Sequence, residues 1–328
     1  MITTRLTSRF GLTVPILLAP MDKFADARLA TAVTRAGGLG VLGAGYGDSG
    51  WLDAQFAAAA DTRIGVGFIA WKLAERPELL DLVLARNPAA LMLSFGDPAP
   101  FADRIHAAKI PFINQVNDLE EARRGIDLGA EVLVAQGGEA GGHGKGVRST
   151  FTLVPEIADL VTERAPDTLV LAAGGVADGR GLAAALSLGA DGAVVGSRLW
   201  AAQESPVSMV ARDRALAAGS DDTVRSMVYD IVRGYPWPQG YGGRALRNDF
   251  VGRWYGNEDA LRANLLDVQR DYRAAVDTAD FDTADIHIGE GIGIIHDHPV
   301  AAAVLERMER EATTVLGRIS GSCARACG

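Results

Sequence analysis

Eight short apolar runs, each followed by an alanine-rich amphipathic segment, constrain this chain more than any other feature. The runs are Pro15–Ala19, Gly40–Gly43, Ile64–Ile69, Ala90–Ser94, Pro111–Gln115, Val132–Ala135, Leu169–Ala172 and Gly192–Val195. None alternates with polar residues, which suits strands covered on both faces, the condition of a parallel sheet. The segments between and after them predict helices near 26–36, 50–59, 76–86, 100–108, 118–128, 152–164, 178–188 and 205–217. Asp118 before Leu-Glu-Glu-Ala and Asp178 before Gly-Arg-Gly-Leu are helix-start residues, and Leu128-Gly and Leu188-Gly are stops. Eight such units in about 200 residues suit an α/β chain folded as a (β/α)8 TIM barrel. An open doubly wound sheet needs fewer strands.

The order of elements also decides how to read Gly38-Leu-Gly-Val-Leu-Gly43. It satisfies the dinucleotide pattern G-x-G-x-x-G, but it follows a helix and contains a strand, the reverse of the order that pattern needs. It is assigned to the second barrel strand. Residues 219–285 then change character, bringing Tyr229, Tyr235, Trp237, Tyr241, Trp254, Tyr255 and Tyr272. The expected organisation is a barrel over 1–218 and 286–328, with an aromatic-rich helical cap over 219–285 and a closing helix over Val300–Leu316.

With 48% hydrophobic residues in 328, the chain can bury a sizeable core. A net charge of -9 argues against nucleic-acid or anionic-membrane binding, so a bound anion must be captured by local N–H groups and side chains. No apolar stretch reaches the roughly 18 residues of a membrane span, and no signal peptide is visible. The two cysteines, Cys323 and Cys327, sit in a Gly/Ser/Ala tail that gives no disulfide framework, which favours a cytoplasmic setting. Neither that pair nor His296-Asp-His298 has further ligands at a telling spacing, so no metal is expected. The partner expected is a small-molecule substrate, and a homodimer is compatible with the sequence.

Chemistry concentrates in Gln136-Gly-Gly-Glu-Ala-Gly-Gly-His143-Gly-Lys-Gly, directly after the sixth apolar run. Glycines such as Gly141 let the backbone approach a bound group, and the C-terminal end of a barrel strand is where such folds build sites. An imidazole there, with an ordinary pKa of about 6.5, can take a proton from a weakly acidic carbon. Glu139 is expected to order the loop, whereas Lys145 either attracts an anionic substrate or is solvated. His106 and His287 carry no supporting pattern. Ala172-Ala-Gly-Gly-Val176 and Val194-Val-Gly-Ser197, in consecutive units, read as a phosphate cradle.

Together with Ala19-Pro-Met21 and Gly289-Glu-Gly-Ile-Gly293, these motifs resemble the nitronate monooxygenases, formerly called 2-nitropropane dioxygenases. The resemblance runs in order over most of the chain. It implies FMN in the barrel mouth, with its phosphate at Gly174, Gly175, Gly196 and Ser197 and its ring near Ala19, Pro20, Met21 and Gln136. It makes His143 the residue facing flavin and substrate, and the reaction an oxidation of alkyl nitronates or nitroalkanes by O2 to a carbonyl compound and nitrite. Gly67 stands where many relatives carry Asn, and Val194 where a Gln is frequent. Tyr235, Trp237 and Tyr241, stiffened by Pro236 and Pro238, are expected to cover the mouth and meet the substrate. The competing readings are a flavin-dependent enoyl-acyl-carrier reductase, an NAD(P)H-dependent flavin reductase and a non-catalytic flavin-binding protein.

Overall fold

Every one of the eight apolar runs forms a strand. The structure, a computed structural model, describes the backbone of residues 1–326 and the side chains of residues 1–319. The Cys323 side chain and Cys327 lie outside the described residues. The barrel strands are β1 Ile16–Leu18, β2 Val41–Gly45, β3 Gly65–Ile69, β4 Leu91–Ser94, β5 Phe112–Val116, β6 Val132–Gln136, β8 Leu169–Ala173 and β9 Gly192–Val195. Another strand, β7 Gly142–Gly144, lies in the loop after β6. The barrel strands pair in parallel in the order β1-β9-β8-β6-β5-β4-β3-β2, and a parallel bridge between Leu17 and Leu39 closes the ring. The chain is a (β/α)8 TIM barrel.

Strand alternation sorts the apolar side chains into two cores. Leu17, Val41, Met92, Ile113, Val134 and Leu171 pack together inside the ring, and Leu6 of the N-terminal helix Arg5–Phe10 joins them. Ile16, Leu18, Leu42, Val66 and Leu133 face outward onto the helices. Asp26, Asp48, Asp118 and Asp178 cap four of the helices, each accepting from the backbone N–H three residues on. Each such cap contributes about 1 kcal/mol. A Cβ at Gly40 would lie 1.9 Å from the Ala30 carbonyl oxygen, so glycine there permits strand-on-helix packing.

The segment expected to be a helical cap contains strands as well. β10 Thr223–Ser226 and β11 Gly242–Leu246 form an antiparallel sheet with β7, and the register places Gly243 opposite His143. These strands are too short and too rich in Gly and Arg to show a period in sequence. Helices Val228–Arg233, Asp249–Trp254, Glu258–Ala263 and Leu265–Asp277 accompany them. Tyr229, Phe250, Trp254, Leu261 and Tyr272 form a core of their own in this segment. The closing helix, Ala301–Ala326, packs on helices Ala27–Arg35 and Gly179–Ser187. Among the described residues no helix is long and apolar enough to cross a membrane.

Candidate active site

The C-terminal ends of the barrel strands surround a cavity of about 240 Å³. Ala19, Pro20, Met21, Gly67, Gln136, Gly141, Gly174, Gly175, Gly196 and Ser197, scattered over the sequence, all line it, as do His143 and Trp237. Gly174 and Gly175 have φ of 104° and 73°, which an L side chain resists. Around Gly196 the nearest atoms to an added Cβ would be Ala19 Cβ at 3.6 Å and Met21 Sδ at 3.7 Å, ordinary van der Waals contacts, so the protein itself does not demand glycine there. At Gly67 a Cβ would lie 2.5 Å from the Pro20 ring, so glycine lets β3 and the loop after β1 meet. Gln136 is fully engaged at its oxygen, accepting from Gln115 Nε2 at 3.1 Å and Asn117 Nδ2 at 2.9 Å, and its own amide donates to the His143 carbonyl at 3.0 Å.

His143 is held on three sides. Its Nε2 lies 2.8 Å from Asp230 Oδ1, Trp237 stacks on the ring with centroids 3.5 Å apart, and its backbone pairs with β11. A carboxylate accepts from the ring N–H, which puts the hydrogen on Nε2 and leaves the lone pair on Nδ1. Burial lowers the His143 pKa, the charges of His287 and Arg233 add to that, and Asp230 pulls the other way. The net effect is an imidazole kept neutral and in one tautomer, the form a general base requires.

The glycine loop owes its shape to charged residues, of which the sequence singled out Glu139 but not Arg225. Arg225 donates to the carbonyls of Gly138, Ala140, Gly142, Gly144 and Gly242, at 2.6–3.2 Å. Burial lowers its pKa to about 10, and the neighbouring charge of Arg244 adds to the effect. Glu139 orders the loop from the other side, accepting from Thr150 N and Oγ1 at 3.0 Å each.

Three expectations are corrected. Lys145 is absent from the cavity lining: it is neither aimed at a substrate nor free in solvent, because Asp118 and Glu121 take its ammonium at 2.6 and 2.8 Å. Tyr235 also lies outside the lining and instead stacks on Tyr46 at 3.9 Å, while Trp237 donates to the Tyr46 hydroxyl at 3.1 Å. His287, without any pattern in sequence, lines the cavity with its ring centroid 5.6 Å from that of His143. Its Nδ1 lies 2.6 Å from Asp285, a buried carboxylate that also receives Arg233 and Tyr272. Burial pushes Asp285 up, but Arg233 and His287 outweigh it and hold the carboxyl well below the usual range. His106 has a structural role, its Nε2 lying 2.9 Å from the Leu128 carbonyl. His296 and His298 gather no third ligand: among the described residues no group of three His, Cys, Asp or Glu could hold a metal.

A closed parallel barrel with a glycine-walled cavity that an imidazole–carboxylate pair adjoins sets the frame for comparison with known barrel enzymes. The nitronate monooxygenase family model matches residues 54–311, and the chain belongs to that family of oxidoreductases. The nitronate monooxygenase of Neurospora crassa is 30% identical over 98% of this chain and 95% of its own length. A (3aS,4S,5R,7aS)-5-hydroxy-7a-methyl-1-oxo-octahydro-1H-indene-4-carboxyl-CoA dehydrogenase of Mycobacterium tuberculosis is 33% identical over 76% of this chain and 67% of its own. Among solved structures, FabK from Thermotoga maritima superposes with a TM-score of 0.84 at 27% identity, covering 98% of this chain and all of that one.

Proposed function

We propose that the protein binds FMN at the barrel mouth and oxidises alkyl nitronates, and more slowly their parent nitroalkanes, with O2 to a carbonyl compound and nitrite. The observation that carries this reading is the neutral, singly oriented His143 on the wall of a cavity whose opposite side is glycine. The residues fit the cofactor: Gly175 and Gly196 leave open backbone beside Ser197, where a side chain on either would intrude on a phosphate. Ala19, Pro20, Met21 and Gln136 would then flank the ring.

Bound there, FMN supplies the electron acceptor and the partner for O2, chemistry the side chains lack. The chain supplies the rest. His143 Nδ1 takes the proton from the carbon next to the nitro group, and Asp230 steadies the charge that the ring acquires. Trp237, Phe95 and Tyr46 close an aromatic wall over the mouth and exclude water. Preformed nitronates have already lost that proton and need only binding and orientation.

The likeness to FabK favours a second reading, reduction of an enoyl thioester at the same site, which requires NAD(P)H. Releasing the cofactor by denaturation and measuring nitrite from propyl nitronate in air without NAD(P)H tests the first reading. FMN and nitrite in step with substrate loss are expected. FAD alone, or no nitrite, overturns it.

A further inference from the structure

One helical turn carries two residues that face the site. Helix Val228–Arg233 presents Asp230 to His143 and, three residues on, Arg233 to the same cavity. Residues at this spacing share a helix face. Gly234, with φ of 73°, ends the helix immediately afterwards and fixes where Arg233 leaves it.

The guanidinium of Arg233 is held but not used up. Its Nε donates to the Tyr272 hydroxyl at 3.0 Å, and its Nη2 reaches both oxygens of Asp285. Nη1 makes no hydrogen bond among the described residues, and 27% of the side chain stays exposed where it lines the cavity. Asp285 is saturated, since Tyr272 and His287 also bind it, so the carboxylate fixes the orientation of Arg233 and competes for no further donor. Asp230 is likewise committed to His143. Of the other carboxyl groups that line the cavity, Glu139 is taken by Thr150 N and Oγ1, and burial pushes the Asp22 carboxyl up while Lys23 and Arg233 pull it down. With Nε and Nη2 engaged, Nη1 offers its N–H donors and the delocalised positive charge to an anionic oxygen from an orientation that Asp285 and Tyr272 fix, which a flexible ammonium does not match.

We infer that Arg233 is the substrate's oxyanion receptor, binding through Nη1 a planar two-oxygen anion, nitronate or carboxylate, on the wall it shares with His143. The assignment deepens the proposed oxidation by naming what the site recognises, and for the nitronate it rests on that reading. Recognition itself stands on the geometry of Arg233.

Propionate and propionamide are a matched charged and neutral pair of non-reacting probes, read by their perturbation of the bound flavin's absorbance. The wild-type protein should bind propionate at least 10-fold more tightly than propionamide. A hydrogen bond between charged partners corresponds to about 10- to 100-fold in affinity, so Arg233→Lys, which keeps a cation on Asp285, should weaken propionate by that factor. Propionamide should change less than about threefold, since a neutral amide makes the weaker bond. The KM for ethyl nitronate should rise in parallel with the propionate Kd, with kcat little altered. If propionate weakens while the nitronate KM stays put, the receptor serves carboxylates. If no nitrite forms at all and propionate still depends on Arg233, the oxidation reading fails and the receptor stands. Equal weakening of both probes would mark Arg233 as merely structural. Equal affinity of the two probes for the wild type would overturn the inference even if Arg233→Lys did not fold.

Discussion

His143 and Trp237 lie ring on ring, with centroids 3.5 Å apart and planes inclined by 3°. Trp237 is also buried, bonded to Tyr46 and part of the cavity wall, whereas Tyr235 only braces Tyr46 from behind. The two aromatics should therefore respond differently to truncation. Trp237→Ala should change the ratio of KM values for short and long nitroalkanes, because it removes wall from the cavity. Tyr235→Ala should lower the melting temperature and leave that ratio as in the wild type. A chain-length series that is unaltered in Trp237→Ala would remove Trp237 from the binding wall.

Replacing His143 by Asn should preserve the fold, since the loop is held by Arg225, Glu139 and Gln136 as well as by this ring. Turnover of neutral nitroalkanes should drop about 10²- to 10⁴-fold, the usual contribution of a general base. Preformed nitronates should lose much less. Steady-state rates on the two substrate forms, side by side, check this, and equal losses on both would contradict a base role.

Acid pH gives an independent reading of the same ring. A base must be unprotonated, and burial lowers the His143 pKa, so kcat/KM for a nitroalkane should hold its plateau to below the ordinary histidine value of about 6.5 and fall only at more acid pH. Asp230 favours the charged ring, so Asp230→Asn should move that fall further toward acid. It should also lower the plateau about 10²-fold or more, because the tautomer is no longer fixed. A limb that moves toward alkaline pH in Asp230→Asn would contradict the assignment.

The barrel was legible because its strands are buried on both faces, a local signal repeated eight times, and because four of its helices carry Asp caps. The glycine positions around the cavity were legible for a related reason: close approach of backbones demands glycine wherever it occurs. Asp230, Arg233, Asp285 and His287 were not. They come from the segment after residue 219, and what brings them to His143 is the pairing of β7 with β11, two short glycine-rich strands without periodicity. Lys145 misled for the opposite reason, since its neighbours in sequence do not reveal Asp118 and Glu121 lying across from it.

Gly67 tests the packing account of the cavity wall. Alanine there would place Cβ 2.5 Å from the Pro20 ring and push the loop that lines the cavity. The variant should lose about 1–3 kcal/mol of stability, the usual cost of overpacking. It should also release FMN more readily on dilution, measured by flavin fluorescence. Unchanged stability and retention would show that Pro20 yields without consequence.

The most direct measurement is an anaerobic titration of the purified flavoprotein with propyl nitronate, without NAD(P)H, followed by admission of air. The nitronate alone should bleach the flavin absorbance, and air should restore the colour as nitrite and propanal appear. A protein that nitronate leaves yellow, and that NADH or NADPH bleaches, would contradict the account and favour the enoyl reductase.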